Sequence, residues 1–285
     1  MERLCDLHTH TTASDGSYAP EESVRYAKQK GVQALAITDH DTIAGLKSAV
    51  LEGARIGQEV IPGIEITTKL EGCEIHIVGL FIHWQDPEFE KQVEKLSKTR
   101  DVRNEKMLRK LIDNGFRITE EDMKRFSGSV LTKAHIGQIL VERGYAKTVP
   151  EAMNTYLRKG GIAYVERETP DPRETVEIIH RGGGLAFVAH TNQIDKKDRG
   201  HSCRICQQIL DMGADGLETR YCEFDDDWRE RTEAIAQKNH CLRSGGSDFH
   251  GTFKAGLDMM SGYGDLIVPY EYVERMRERL GLSLG

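Results

Sequence analysis

The stretch CDLHTHTTASDG, residues 5–16, sets two histidines one residue apart and an aspartate five residues after the second. Apolar and polar residues alternate through Leu4, Cys5, Asp6 and Leu7, which predicts a short strand, so His8 and His10 leave its end pointing the same way. Two imidazoles aimed together from a strand end are candidate metal ligands. Outward from this stretch, short apolar runs recur as VQALAITDH, VIPGIEITT, EIHIVGLF, GLAFVAH, DGLET and CLRSGGSD, each carrying a histidine or an acid. Helical patterns lie between most of them. Pro20 opens residues 19–30 with Gly31 after it, Asp41 or Thr42 is expected to cap a helix to residue 57, and Pro172 opens 173–181 before Gly182. Strands alternating with helices predict a mostly parallel sheet, and seven such units with polar strand ends fit an α/β barrel whose site lies on its C-terminal rim.

The rhythm breaks after FIHWQDP. From Glu88 to Gly161 the pattern is helical throughout, with Phe89, Val93, Leu96, Met107 and Leu111 near one face and Asn114-Gly115 ending the first helix. A second helix is expected from Thr119, a third over LTKAHIGQILVERG and a fourth over VPEAMNTYLRKGG. The chain therefore divides into a barrel, residues 1–87 and 162–285, and a helical insertion, residues 88–161.

Composition narrows the function classes. Hydrophobic residues make up 38% and charged residues 30%, with no apolar run near the ~20 residues of a membrane span. The N-terminus lacks a signal-peptide pattern and the six cysteines are scattered, so a cytoplasmic protein with reduced thiols is expected. CRIC, residues 203–206, has metal-ligand spacing but no second pair, and reads as ordinary helix positions. The net charge of −7 argues against a duplex-DNA face. It is uneven: residues 95–167 hold 16 Lys/Arg and 9 Asp/Glu, a basic segment on an acidic body. That arrangement suits a site gathering metal cations on one side and an anion from the other.

Collected strand-end residues are His8, His10, Asp15, His40, Glu65, His76, His190, Asp248 and His250. Imidazole and carboxylate donors suit Zn²⁺, Mn²⁺ or Fe²⁺, and nine are too many for one tetrahedral ion, so two or three metals are expected. Asp41 and Asp39 read better as helix caps, and His83, His180, His201 and His240 as structural or surface residues.

DLHTHTTASDG, AITDHDT, PGIEIT, IHIVGL, AHT and GSDFHG, in this order over residues 3–262, resemble the PHP (polymerase and histidinol phosphatase) family, and its stand-alone phosphoesterases in particular. The resemblance implies a distorted (β/α)7 TIM-like barrel with a trinuclear metal centre. Carried over by motif, His8, His10, Glu65 and Asp248 would hold one metal, Glu65, His76 and His190 a second, and Asp15, His40 and His250 a third. Glu65 would be the bridge, with Asp248 and His190 serving the reaction beside it. Two motifs depart from the family: LTKAH stands where relatives read TRPH, putting Lys133 in place of an arginine, and His190-Thr191-Asn192 stands where many read AHP.

The resemblance implies hydrolysis of a phosphate ester by water activated between metals. The substrate would be a nucleoside 5′-monophosphate, a 3′,5′-bisphosphonucleotide or a cyclic ribose phosphate, met by a monomeric enzyme. Lys133 and His135 from the insertion are candidate phosphate contacts, and Arg158 could reach a second phosphate. Alternative readings are a 5′–3′ exoribonuclease on short RNA, an amidohydrolase or deaminase, and a non-catalytic metal-binding scaffold.

Overall fold

The computed structural model describes residues 3–119, 121–122 and 131–283. Seven strands, β1 (Cys5–Asp6), β2 (Ala34–Ile37), β3 (Glu59–Leu70), β4 (Cys73–Leu80), β5 (Leu185–Val188), β6 (Gly216–Tyr221) and β7 (Leu242–Gly246), pair in sequence order. The Leu7 amide donates to Gly245 O at 3.1 Å and the Asp248 amide to His8 O at 2.9 Å, which brings β7 back to β1 and nearly closes the barrel. Every residue of ALAI in β2 and LAFV in β5 is buried, as a strand covered on both faces requires.

Helices α1 (Pro20–Lys30) and α2 (Leu46–Ile56) follow the first two strands. In α1, Glu21 and Glu22 stand in the first turn and Lys28 and Lys30 in the last, matching the helix dipole. Helix α2 starts later than expected, with Gly45 at its cap. Asp41 does not cap it: its backbone turns left-handed, φ +51°, and its side chain is buried elsewhere.

The strand–helix alternation fails between β3 and β4. Glu71 and Gly72 both have positive φ and close a hairpin, so β4 runs antiparallel to both β3 and β5. Reversing one strand moves its early residues to the rim. Hence His76, in the middle of β4 and opposite Thr67, reaches the same end of the barrel as Glu65 on β3.

Between β4 and β5 runs α3 (Pro87–Asp113), capped by Asp86, which accepts from the amides of Glu88 and Phe89. Its 27 residues, about 40 Å of helix, bridge two apolar clusters. Phe89, Val93 and Leu96 join the barrel core. Met107, Leu108 and Leu111 pack with Ile136, Ile139 and Leu140 of α4 (Lys133–Glu142), with Ala152 of the single turn α5 (Val149–Ala152), and with Leu157. The expected fourth helix is thus one α turn passing into a π turn, Met153–Leu157. Most of the expected second helix lies outside the described residues. Helices α6 (Pro172–Arg181), α7 (Arg199–Asp211), α8 (Asp226–Asn239) and α9 (Glu271–Leu280) complete the chain. No described helix is long and apolar enough to cross a membrane.

Candidate metal centre and active site

All nine strand-end residues converge on the rim. Glu65 is the hub, 1% exposed. Its Oε1 lies 2.9 Å from His76 Nδ1, 2.8 Å from His190 Nε2 and 3.4 Å from His8 Nε2. Its Oε2 lies 2.9 Å from His40 Nδ1 and 3.3 Å from His10 Nε2. Asp248 Oδ1 lies 3.2 Å from His10 Nε2 and 3.4 Å from His250 Nδ1, and Asp15 Oδ1 lies 3.4 Å from His250 Nε2. Potential donor atoms fall into three overlapping groups: His10, Asp15, His40 and His250; His8, His10 and Glu65; His40, Glu65 and His76. His10 and His40 each belong to two groups, which differs from the division by motif.

His76 and His190 hydrogen-bond to Glu65, but other buried atoms of the cluster have no such partner. His8 Nε2, both ring nitrogens of His10, His40 Nδ1 and Asp15 Oδ1 are buried without a hydrogen bond among the described residues. Leaving such groups unpaired is costly, and a donor set of imidazoles and carboxylates fits divalent cations. Burial pushes the carboxyls of Asp15, Glu65 and Asp248 up, but the facing basic groups hold all three well below the usual range: His40 and His250 at Asp15, His40, His76 and His8 at Glu65, Lys254 and His250 at Asp248. Burial brings His40 down to about 4. Burial also opposes charge on His10, yet Asp248 and Glu65 raise it to about 9. His190 and Asp248 adopt positive φ, +25° and +53°, a strained backbone that aims both side chains into the centre.

A surrounding layer absent from the sequence reading fixes these groups. Glu218 on β6 lies 2.7 Å from His8 Nδ1 and accepts from the His190 amide at 2.5 Å, so one carboxylate orients two rim histidines. Its only signal was an acid inside the DGLET run. Tyr221 Oη and Lys254 Nζ both donate to Asp248 Oδ2, at 3.0 and 2.5 Å. Asp39, rather than capping a helix, accepts from Thr11 N, Thr11 Oγ1 and Ser14 Oγ and fixes the loop between His10 and Asp15.

Beside the histidines opens a cleft of about 100 Å³, with His40 and His76 on one wall and Arg100, Arg103 and Lys133 on the other. Lys133, the first residue of α4, places Nζ 3.5 Å from Glu74 Oε2. His135 Nδ1 accepts from the Thr132 amide while Thr132 Oγ1 accepts from the His135 amide, a reciprocal pair that caps α4. Arg158 is exposed at the end of the π turn and does not line the cleft. A larger hollow of about 670 Å³ lies at the start of β7, by Leu242 and Tyr272, away from the rim.

A barrel with a buried cluster of histidines and carboxylates at its rim, facing a cationic cleft, defines a hydrolase of phosphate esters. The chain belongs to the PHP family: the PHP domain model matches residues 6–169. It is 34% identical over 253 residues to the 5′-3′ exoribonuclease of Haemophilus influenzae, covering 88% of this chain and 91% of that one. It is 30% identical to the phosphoribosyl 1,2-cyclic phosphate 1,2-diphosphodiesterase of Eggerthella lenta, covering 87% and 94%. A crystal structure from Bifidobacterium adolescentis, assigned as a metal-dependent phosphoesterase, superposes with a TM-score of 0.86 at 25% identity, covering 97% of this chain and 96% of that chain.

Proposed function

We propose that the protein hydrolyses a phosphate ester of a small phosphorylated nucleotide or sugar phosphate, using two or three Mn, Fe or Zn ions held by the nine rim residues. The observation that carries this reading is Glu65, one buried carboxylate facing five imidazoles beside a cleft walled by Lys133. Divalent ions in such a site lower the pKa of water and offset charge on phosphate oxygens. Glu65 bridges the donor groups, Asp248 and His190 hold the centre from the ends of β7 and β5, and Glu218 keeps His8 in one orientation. Lys133 draws the phosphate into the cleft as a point charge. In this reading residues 88–161 form a capping domain on a barrel of residues 1–87 and 162–285. The six cysteines are free thiols, as a reducing compartment such as the cytoplasm would keep them.

A second reading, a 5′–3′ exoribonuclease acting on short RNA, is favoured by the Haemophilus influenzae relative. Hydrolysis of nucleotides, cyclic ribose phosphates and 5′-phosphorylated oligoribonucleotides with Mn²⁺ added, followed by phosphate release and by chromatography of the organic products, tests both. The proposal expects hydrolysis that chelation abolishes and metal restores. Liberation of nucleoside 5′-monophosphates from oligoribonucleotides, with no turnover of the small compounds, would select the second reading, and hydrolysis of none would overturn both.

A further inference from the structure

The three rim carboxylates are not used alike. Glu65 turns both oxygens to imidazoles, and so does Asp15, with Oδ1 3.4 Å from His250 Nε2 and Oδ2 3.9 Å from His40 Nε2. Asp248 divides its two oxygens. Its Oδ1 faces His10 Nε2, His250 Nδ1 and His8 Nε2 at 3.2, 3.4 and 3.7 Å. Two of these, His10 Nε2 and His8 Nε2, are among the buried atoms without a hydrogen bond. Its Oδ2 has partners already, Tyr221 Oη at 3.0 Å and Lys254 Nζ at 2.5 Å. An ammonium on one oxygen of a carboxylate keeps a second cation off that oxygen by like-charge repulsion and offsets part of the charge that the other oxygen offers.

The chain holds this lysine in place. After β7 the backbone turns left-handed at Asp248, φ +53°, and passes through the short turn Gly251–Phe253. Lys254 thereby returns over the residue it pairs with, and its ammonium also donates to Asp248 O at 3.2 Å. The turn is pinned from the first rim loop: Ser17 Oγ accepts from the Thr252 amide at 2.8 Å, and the Ser17 amide donates to His250 O at 3.1 Å. Tyr221 is fully buried, and its hydroxyl accepts from Gln193 Nε2 at 2.8 Å, which leaves its own proton for Asp248. Glu223 acts on Lys254 only from beyond ion-pair distance, so Asp248 is the acid that engages it.

We propose that Lys254, backed by the Tyr221 hydroxyl, is a positioning residue that restricts Asp248 to metal ligation through Oδ1 alone and so keeps a coordination position open for water or substrate. This rests on the reading of the rim as a metal centre. A carboxylate free on both oxygens can take a cation bidentately, whereas a catalytic ion needs a position that the protein leaves empty. The lysine therefore weakens metal binding and favours turnover.

The test is a Mn²⁺ titration of metal-free wild type, Lys254→Met, Lys254→Arg and Tyr221→Phe, read by water-proton relaxation, which follows both the affinity and the water retained on the bound ion. Alongside it, kcat is measured on the compound of the substrate panel above that wild type hydrolyses fastest. With Oδ2 released, Lys254→Met should bind Mn²⁺ about tenfold more tightly, retain less water on the ion and lose about tenfold in kcat. Lys254→Arg keeps a cation on Oδ2 and should stay near wild type in all three. Tyr221→Phe should move in the direction of Lys254→Met by a smaller amount. Equal or weaker Mn²⁺ binding, or equal water on the ion, in a folded Lys254→Met is what a merely structural lysine would give, and it would overturn the proposal. If that variant does not fold, equal or weaker binding by Tyr221→Phe overturns it instead. Should wild type bind Mn²⁺ but hydrolyse no phosphate ester, the phosphoesterase reading falls and the titration still judges Lys254. A wild type that binds no Mn²⁺ would overturn both.

Discussion

The rim of the barrel and the helices between β4 and β5 bury opposite kinds of charge. The rim gathers Asp15, Glu65 and Asp248 around histidines. Helix α3 and the strand-ward segment after α5 bury Arg100, Arg103 and Arg167. The two meet at Asp41, whose Oδ2 accepts from Arg100 Nε at 2.7 Å and Arg167 Nη1 at 2.8 Å, one residue after the rim residue His40. The contrast teaches how a single cleft can attract metal cations on one wall and a phosphate on the other. Neither wall could hold both, since each would repel one of the two.

The largest effect expected comes from the acidic wall. Glu65→Gln removes the carboxylate shared by five imidazoles, and groups that act as a unit fail together, so kcat should drop about 10⁴-fold while the folded structure persists by circular dichroism. Cutting the seam is next. Asp41→Asn leaves Arg100 and Arg167 buried without their anion and should destabilise the protein by about 3–5 kcal/mol in denaturant unfolding. Burial raises the Asp41 carboxyl, but Arg100 and Arg167 outweigh it and hold the group well below the usual range. A depressed folded value means that the stabilisation is present above the unfolded value of about 3.9 and lost as pH falls further. The gap between wild type and Asp41→Asn should therefore stay constant from pH 8 to about pH 5 and shrink only in stronger acid.

The cationic wall gives a smaller response. Lys133→Ala should lower kcat/KM by about ten- to a hundredfold with metal content unchanged, and Lys133→Arg should retain much of the activity. Smallest is Glu218→Gln, which loosens the orientation of His8 and the His190 backbone and should weaken metal binding by about tenfold in titrations. If Lys133→Ala also stripped metal, the two walls would not be independent and the comparison would break.

The rim was legible because its signal is local. A histidine or acid at the end of an apolar run keeps its meaning wherever the run sits in the sheet, so His8, His10, His40, His190, Asp248 and His250 could be collected before any topology was known. The direction of β4 was not legible: reversal needs only Glu71-Gly72 in positive φ, and the run EIHIVGLF reads alike in either direction. Asp41 looked like a helix cap because its partners lie 59 and 126 residues away. Arg103 is one of 16 basic residues between 95 and 167 and carries no signal of its own in the sequence. Only packing against the barrel reveals that it is buried, and no sequence spacing encodes that. Arg158 was singled out by the glycines after it, yet glycine there marks a turn at the surface.

Metal content per chain, measured together with phosphate release on wild type and Glu65→Gln, tests the account most directly. Wild type should hold two or three divalent ions and release phosphate. Glu65→Gln, folded and exposed to the same metal, should hold fewer ions and release almost none. Equal metal content and equal turnover in the two proteins would contradict the role given to Glu65 and, with it, the centre built around that residue.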